Sequence, residues 1–334
     1  MQPRFSGLLV FLVLSGSGLA WSQDAKSQSP ARNCVDQPTN PVSAKKVPKG
    51  VILVKGAWSS ASDSVTPLPE CGTFTRNVFD NEYFGIKYSL PAGWAEKFKG
   101  PPPSDSGRYV LAQIGPPEPS KGPNRGNILI TAQDLFFTPL PAANAAELIN
   151  YTKEHLQTDY KVEAPPSQTK IAAHSFATFS YWSPIAQLHW YVLATEIRCH
   201  VVQFVMTSRD PKLLDRLILD MNDMQLPASG AGEGAYPVCV KGYARPENMI
   251  TRANPVFTEP RVNAVPVRII IDRDGNVKHI HFLSAFPDQT KAITSALQQW
   301  KFKQYLRDGQ PVEVETGVMF GRAAHPTGQV ADRH

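Results

Sequence analysis

The chain has 334 residues, more than a single hydrophobic core usually fills, so at least two structural modules are expected. Apolar residues make up 42%, aromatics 10% and charged residues 19%, which excludes wholesale disorder and a collagen-like or coiled-coil fibre. The net charge of +5 comes from 34 basic and 29 acidic residues scattered along the chain. That is too dilute for a nucleic-acid-binding stripe, so nucleic acid is not an expected partner.

The amino-terminal residues speak to compartment. Arg4 precedes an apolar and small-residue run from Gly7 to Leu19, and Ala20-Trp21-Ser22 offers small residues at a cleavage point. This predicts a signal peptide over 1–22, cleaved near Ser22, and a periplasmic mature chain without a membrane span. An uncleaved anchor is the alternative. Residues 23–73, rich in Pro, Ser and Lys, read as an extended arm whose Lys45, Lys46 and Lys49 form a solvated tract. The four cysteines, Cys34, Cys71, Cys199 and Cys239, are an even number in a chain bound for an oxidising compartment, so disulfides are expected. The sequential pairing, Cys34 to Cys71 and Cys199 to Cys239, closes the shorter loops, and the other two connectivities stay open.

Residues 74–227 read as a compact α/β module. Strands are predicted over 84–90, 109–114 and 127–133, then a helix capped by Asn144 with Ala145, Leu148 and Ile149 on one face. A meander over 174–181, 187–196 and 200–208 follows. The module closes with a helix capped by Asp210, with Pro211 at its first position and Leu213, Leu214 and Leu217 on its stripe. The run Tyr83-Phe-Gly-Ile-Lys-Tyr-Ser-Leu-Pro-Ala-Gly-Trp94, with this order of elements, resembles the PsbP-like family. That resemblance implies an α/β/α sandwich serving as a non-catalytic accessory or interaction module. Trp94 reads as a core or lid aromatic, with stacking on a ligand as the other possibility.

The glycine-rich Ala228-Ser-Gly-Ala-Gly-Glu-Gly-Ala235 opens a linker over 228–252. Residues 253–322 then predict two strands joined at Asp274-Gly275, a helix carrying Ile293, Leu297 and Trp300, and a last strand over 312–320. Residues 323–334 are expected to be a disordered tail. The strand ending Asp272-Arg-Asp-Gly-Asn-Val277, the segment Gln299-Trp-Lys-Phe302 and Asp308-Gly-Gln-Pro-Val312 together resemble the TonB C-terminal domain family. The whole chain is thus expected to be α+β: an antiparallel-sheet sandwich followed by a small β-β-α-β domain. The TonB resemblance implies that a partner's extended segment adds beside the last strand, at Val312, Val314, Thr316, Val318 and Phe320.

No GxSxG, HExxH, GxGxxG or P-loop motif occurs, and the cysteines form no CxxC or Cys/His cluster, so no catalytic residue, cofactor or metal is expected. His279 and His281 share a strand face and read as solvated. His189 and His200, with Glu196 between them, lack a nucleophile. The resulting expectation is a non-enzymatic exported protein that binds an envelope or outer-membrane protein segment, with its oligomeric state open. Two alternatives remain: a TonB-like energy transducer if the leader stays as an anchor, and an enzyme or small-ligand receptor in the first module tethered by the second.

Overall fold

The computed structural model describes residues 61–62, 72–98, 107–117, 126–138, 143–227, 236–258, 263–283 and 285–321. The predicted signal peptide, most of the arm with Cys34, Cys71 and the lysine tract, and the tail lie outside them. The fold is α+β, mostly antiparallel sheet with few helices.

The first strand, β1 (Ala61–Ser62), comes from the arm. β2 (Gly72–Thr75), β3 (Val78–Asn81) and β4 (Ile86–Ser89) form a meander. Its first turn holds Arg76 and Asn77 at φ 50° and 64°, matching the right-handed twist of the flanking strands. A seven-stranded sheet follows. It is built from β5 (Ala95–Phe98), β6 (Arg108–Gly115), β7 (Gly126–Asp134), β8 (Lys161–Ile171), β9 (His174–Ser183), β10 (Leu188–Ile197) and β11 (His200–Ser208). The spatial order is β5-β6-β7-β11-β10-β9-β8, and every pair of neighbours is antiparallel.

Two helices use the alternation of these strands. Between β7 and β8, α1 (Ala145–Glu154) is capped by Asn144, whose side chain accepts from the Glu147 amide, and it lays Ala145, Leu148 and Ile149 on Phe179, Tyr181 and Val192. After β11, α2 (Pro211–Asp220) starts at the Asp210 cap and packs Leu213, Leu214 and Leu217 with Phe176, Leu193, Phe204 and Met206. These two sets alternate along the strands, so α1 and α2 lie on opposite faces. β8 was not expected from the sequence. Pro165 and Pro166 sit where its pairing with β9 shifts register, and prolines are tolerated because β8 is the outer strand of the sheet.

The remaining strands are β12 (Val238–Cys239), β13 (Met249–Thr251), β14 (Val265–Ile271), β15 (Val277–Phe282), β16 (Lys301–Phe302), β17 (Leu306–Arg307), β18 (Gln310–Pro311) and β19 (Val314–Phe320). A five-stranded sheet has the order β1-β15-β14-β19-β12. Val265, Val267, Ile269 and Ile271 meet Ile293 and Leu297 of α3 (Pro287–Leu297), with Trp300 and Phe302 completing the core. Each fully buried Ile or Phe there contributes about 1.5–3 kcal/mol. Gly275 turns the β14–β15 hairpin at φ 87°, and a Cβ on it would stand 2.1 Å from the Phe302 carbonyl oxygen, so no other residue fits. α3 ends at Leu297, before Trp300, whose Nε1 donates to the Ala253 carbonyl at 2.7 Å.

The predicted linker differs from expectation. Its described part, residues 236–252, forms β12, a turn and β13, and buries Tyr243 in the core of the five-stranded sheet. The Tyr243 hydroxyl donates to the Lys303 carbonyl at 2.7 Å, which draws the segment onto the sheet. Both sheets belong to one compact unit.

Candidate functional site

The last strand was the predicted partner-binding element, and two independent alternations decide what it offers. Leu283 donates to the Pro266 carbonyl, so Pro266 and Arg268 turn their backbone groups toward β15. Val265, Val267, Ile269 and Ile271 therefore bond to β19, where their partners are Phe320, Val318, Thr316 and Val314. Those four partners thus spend their N–H and C=O groups on β14, and their side chains belong to the core face. Val314, Thr316 and Phe320 are buried. Val312 falls outside β19, and its amide donates to the Tyr305 carbonyl at 3.0 Å. The named residues are therefore the inward set. One step along a strand reverses both face and hydrogen-bonding direction, so the outward groups belong to Glu313, Glu315, Gly317 and Met319.

Part of that outer edge is already occupied. β12 pairs parallel with β19 at Val314 and Glu315, with Val238 donating to the Glu313 carbonyl at 2.8 Å and Val240 to the Glu315 carbonyl at 3.0 Å. The Cys199–Cys239 disulfide, one of the two predicted, ties β12 to the β10–β11 turn. That turn places Arg198 and Cys199 at φ 47° and 59°, a conformation that costs free energy for side-chain-bearing residues and needs local contacts to hold it. Arg198 supplies them: it donates to the Tyr83 carbonyl at 2.9 Å and lies over the rings of Tyr83 and Tyr236. Beyond Glu315, the edge continues at Gly317 and at Met319, which is exposed.

Behind β19 lies a buried ionic cluster that was not foreseen. Arg268, on the face of β14 turned away from α3, holds Asp134 at 2.8 Å and Glu315 at 2.6 Å, and donates to the Arg198 carbonyl at 3.1 Å. All three side chains are almost fully buried. His200 shares the cluster. Its Nδ1 lies 2.7 Å from the Arg198 carbonyl and so carries the proton, which leaves Nε2 to accept from Arg268 at 2.5 Å. Burial and then the Arg268 charge hold the His200 imidazole well below its ordinary value, and the same causes push His281 down to about 3. Both rings are therefore neutral near pH 7. Burial lowers the Arg268 pKa, but Asp134 and Glu315 outweigh it and keep the guanidinium charged. Burial raises the Asp134 carboxyl, opposed by Arg268 and by the amides of Phe136 and Phe137. Those phenylalanines also close over Gly317, where a Cβ would meet Phe136 Cβ at 2.7 Å and Phe137 Cζ at 2.8 Å. The cluster thus joins the two sheets through charge pairs.

The other predicted groups separate. His189 and His200 stand at opposite ends of the β10–β11 pair. His189 meets Glu163 at 2.9 Å, while Glu196 accepts from the Ala145 amide at the start of α1. His281, expected on a solvated face, is buried against Tyr83, and His279 is half-buried beside it in sequence. Among the described residues no group of three or more His, Cys, Asp or Glu side chains is arranged to hold a metal ion, and no helix is long and apolar enough to cross a membrane. Trp94 is 8% exposed in the core below α2. With Leu213 and Leu217 it floors an open groove of about 390 Å³, while Arg216 and Asp220 stand on the exposed rim.

No family model matches the chain, and no curated protein matches it. Among solved structures it is similar to the solution structure of cyanobacterial PsbP (CyanoP) from Synechocystis sp. PCC 6803. The identity is 13% and the TM-score 0.31, over 54% of this chain and 100% of that one.

Proposed function

We propose that the chain is an exported, periplasmic binding protein without catalysis of its own, which takes an extended segment of an envelope or outer-membrane protein as an added strand on β19. Main-chain recognition of this kind needs outward N–H and C=O groups and an approachable edge. The observation that carries the reading is the continuation of the β19 edge past β12: Gly317 and Met319 turn their backbone outward, and Met319 is exposed. The order β14, β15, α3, β19 and the motifs quoted for residues 253–322 support it by resemblance to the TonB C-terminal domain. In the first module, the apolar floor at Trp94 and the exposed position of Arg216 and Asp220 favour a scaffold over a small-ligand receptor.

The test is a photo-crosslinking amino acid in place of Met319 in the exported full-length chain, with the attached protein identified by mass spectrometry. Met319→Pro removes an outward N–H, so it should keep the fold and lose the partner. Val318→Pro removes an inward N–H bonded to β14 and should lose the fold as well. Lys291→Glu, on the exposed side of α3, should change neither. A folded Met319→Pro chain that still engages the same protein would remove the edge from consideration.

A further inference from the structure

Resting on the strand-addition reading, we propose that the Cys199–Cys239 disulfide is a redox gate on the β19 edge. Closed, it holds β12 across Val314 and Glu315; opened by a dithiol reductant, it frees β12 and extends the partner's edge from Met319 back to Glu313.

The geometry makes β12 dependent on the bond. It is a two-residue strand on the edge of its sheet, joined to β19 by the Val238 and Val240 amides. Hydrogen bonds that few and that solvent-exposed do not by themselves offset the entropy of ordering the backbone. The Cys199 end of the bond is anchored on the β10–β11 turn, 3% exposed, whereas Cys239 is exposed on the strand that would leave. The releasable segment is short. Tyr243, four residues on, is fixed by its amide to Thr316 Oγ1 at 3.2 Å and by its hydroxyl to Lys303. Loss of β12 therefore need not disturb the core behind β19.

The chemistry balances with a dithiol as the two-electron donor. Its thiolate attacks Cys239 Sγ, forming a mixed disulfide and expelling Cys199 as a thiolate, which takes up a proton. The reductant's second thiol then attacks the mixed disulfide and releases the Cys239 thiol. Two cysteine thiols are formed, and the reductant leaves as its own disulfide. Cys199 Sγ lies 3.5 Å from Glu315 Oε2, so the buried thiol has an acceptor in place, while Glu315 keeps its partner Arg268.

Hydrogen–deuterium exchange on the full chain tests the gate, comparing the oxidised protein with its dithiothreitol-reduced form and with Cys239→Ser. The Val238 and Val240 amides should exchange at least about tenfold faster once the bond is gone, while the β14–β19 ladder keeps its protection. Unchanged exchange at both amides would overturn the gate, because β12 would then hold without the bond. Lost protection throughout Val265–Ile271 would also overturn it, because the bond would then be a staple for the whole sheet. Exchange needs no bound partner, so the gate can fail while crosslinking at Met319 still succeeds. The reverse outcome, free β12 with no crosslinked partner, would fault the strand-addition reading instead.

Discussion

The two faces of the five-stranded sheet make opposite bargains with burial. On β14, Val265, Val267, Ile269 and Ile271 meet α3 and Trp300, whereas on the other face Arg268 meets Asp134 and His200 of the seven-stranded sheet and His281 of β15 meets Tyr83, at 2% and 7% exposure. The apolar face needs only shape and volume, which nearby helical residues supply. The charged face needs counter-charges at fixed positions, and it finds one of them 134 residues earlier, at Asp134. Apolar packing tolerates similar substitutes, while a buried ion that loses its partner has no substitute within reach.

Breaking the charged face should have the largest effect. Arg268→Met leaves Asp134 and Glu315 buried without their cation and should cost about 3–5 kcal/mol in urea denaturation, against about 0.5–1.5 kcal/mol for Ile269→Val on the apolar face. Removing the acids as well, with Asp134→Asn and Glu315→Gln, should recover part of that loss. Equal costs for the Arg268 and Ile269 variants would erase the contrast.

Acid should sharpen the same contrast. The folded pKa of His200 and of His281 lies below the ordinary value, so between pH 6.5 and the folded pKa the unfolded chain binds more protons and stability falls as pH falls. For His281, whose folded value is about 3, the loss between pH 7 and pH 5 is about 2 kcal/mol, and His200, lowered by the same causes, acts in the same sense. Asp134 acts in the opposite sense, because its raised pKa makes the folded state take up a proton first. Denaturation at pH 7 and pH 5 measures the slope, and His281→Gln should remove about 2 kcal/mol of it. A pH slope that His281→Gln leaves unchanged would mean that this imidazole is not held neutral in the fold.

A smaller effect is expected where the sheets touch without charge. Gly317→Ala places a methyl group against Phe136 and Phe137 and should cost about 1–3 kcal/mol by overpacking. An unchanged melting temperature would show that those rings give way freely. The smallest effect belongs to the surface pair of Lys278 and Glu313, 2.8 Å apart with side chains 45% and 28% exposed. Lys278→Ala should cost less than about 1 kcal/mol, and high salt should shrink the difference further.

Much of the seven-stranded sheet was legible in the sequence because its signals are local. Asn144 and Asp210 cap their helices as read, and the strand 200–208 appears with its predicted ends. β8 escaped notice because Pro165 and Pro166 argue against a strand, and only its outer position in the sheet makes them acceptable. Cys199 and Cys239 were paired correctly from loop length alone. The residues singled out on the last strand are its inward set, because apolar side chains mark the core face of β19 and say nothing about which neighbours point their amides outward.

Hydrophobic periodicity, capping residues and cysteine spacing determined the α+β class, most elements and one disulfide, since each depends on residues close together or on a simple covalent count. Only the tertiary structure decided that a linker would become an edge strand, that β1 from the arm would cover the opposite edge, and that Arg268, His200 and His281 would be buried together. In a sequence, a charged residue on an alternating strand reads as solvent-facing. It becomes interior only when a second sheet brings an opposite charge from far along the chain, and no local pattern encodes that meeting.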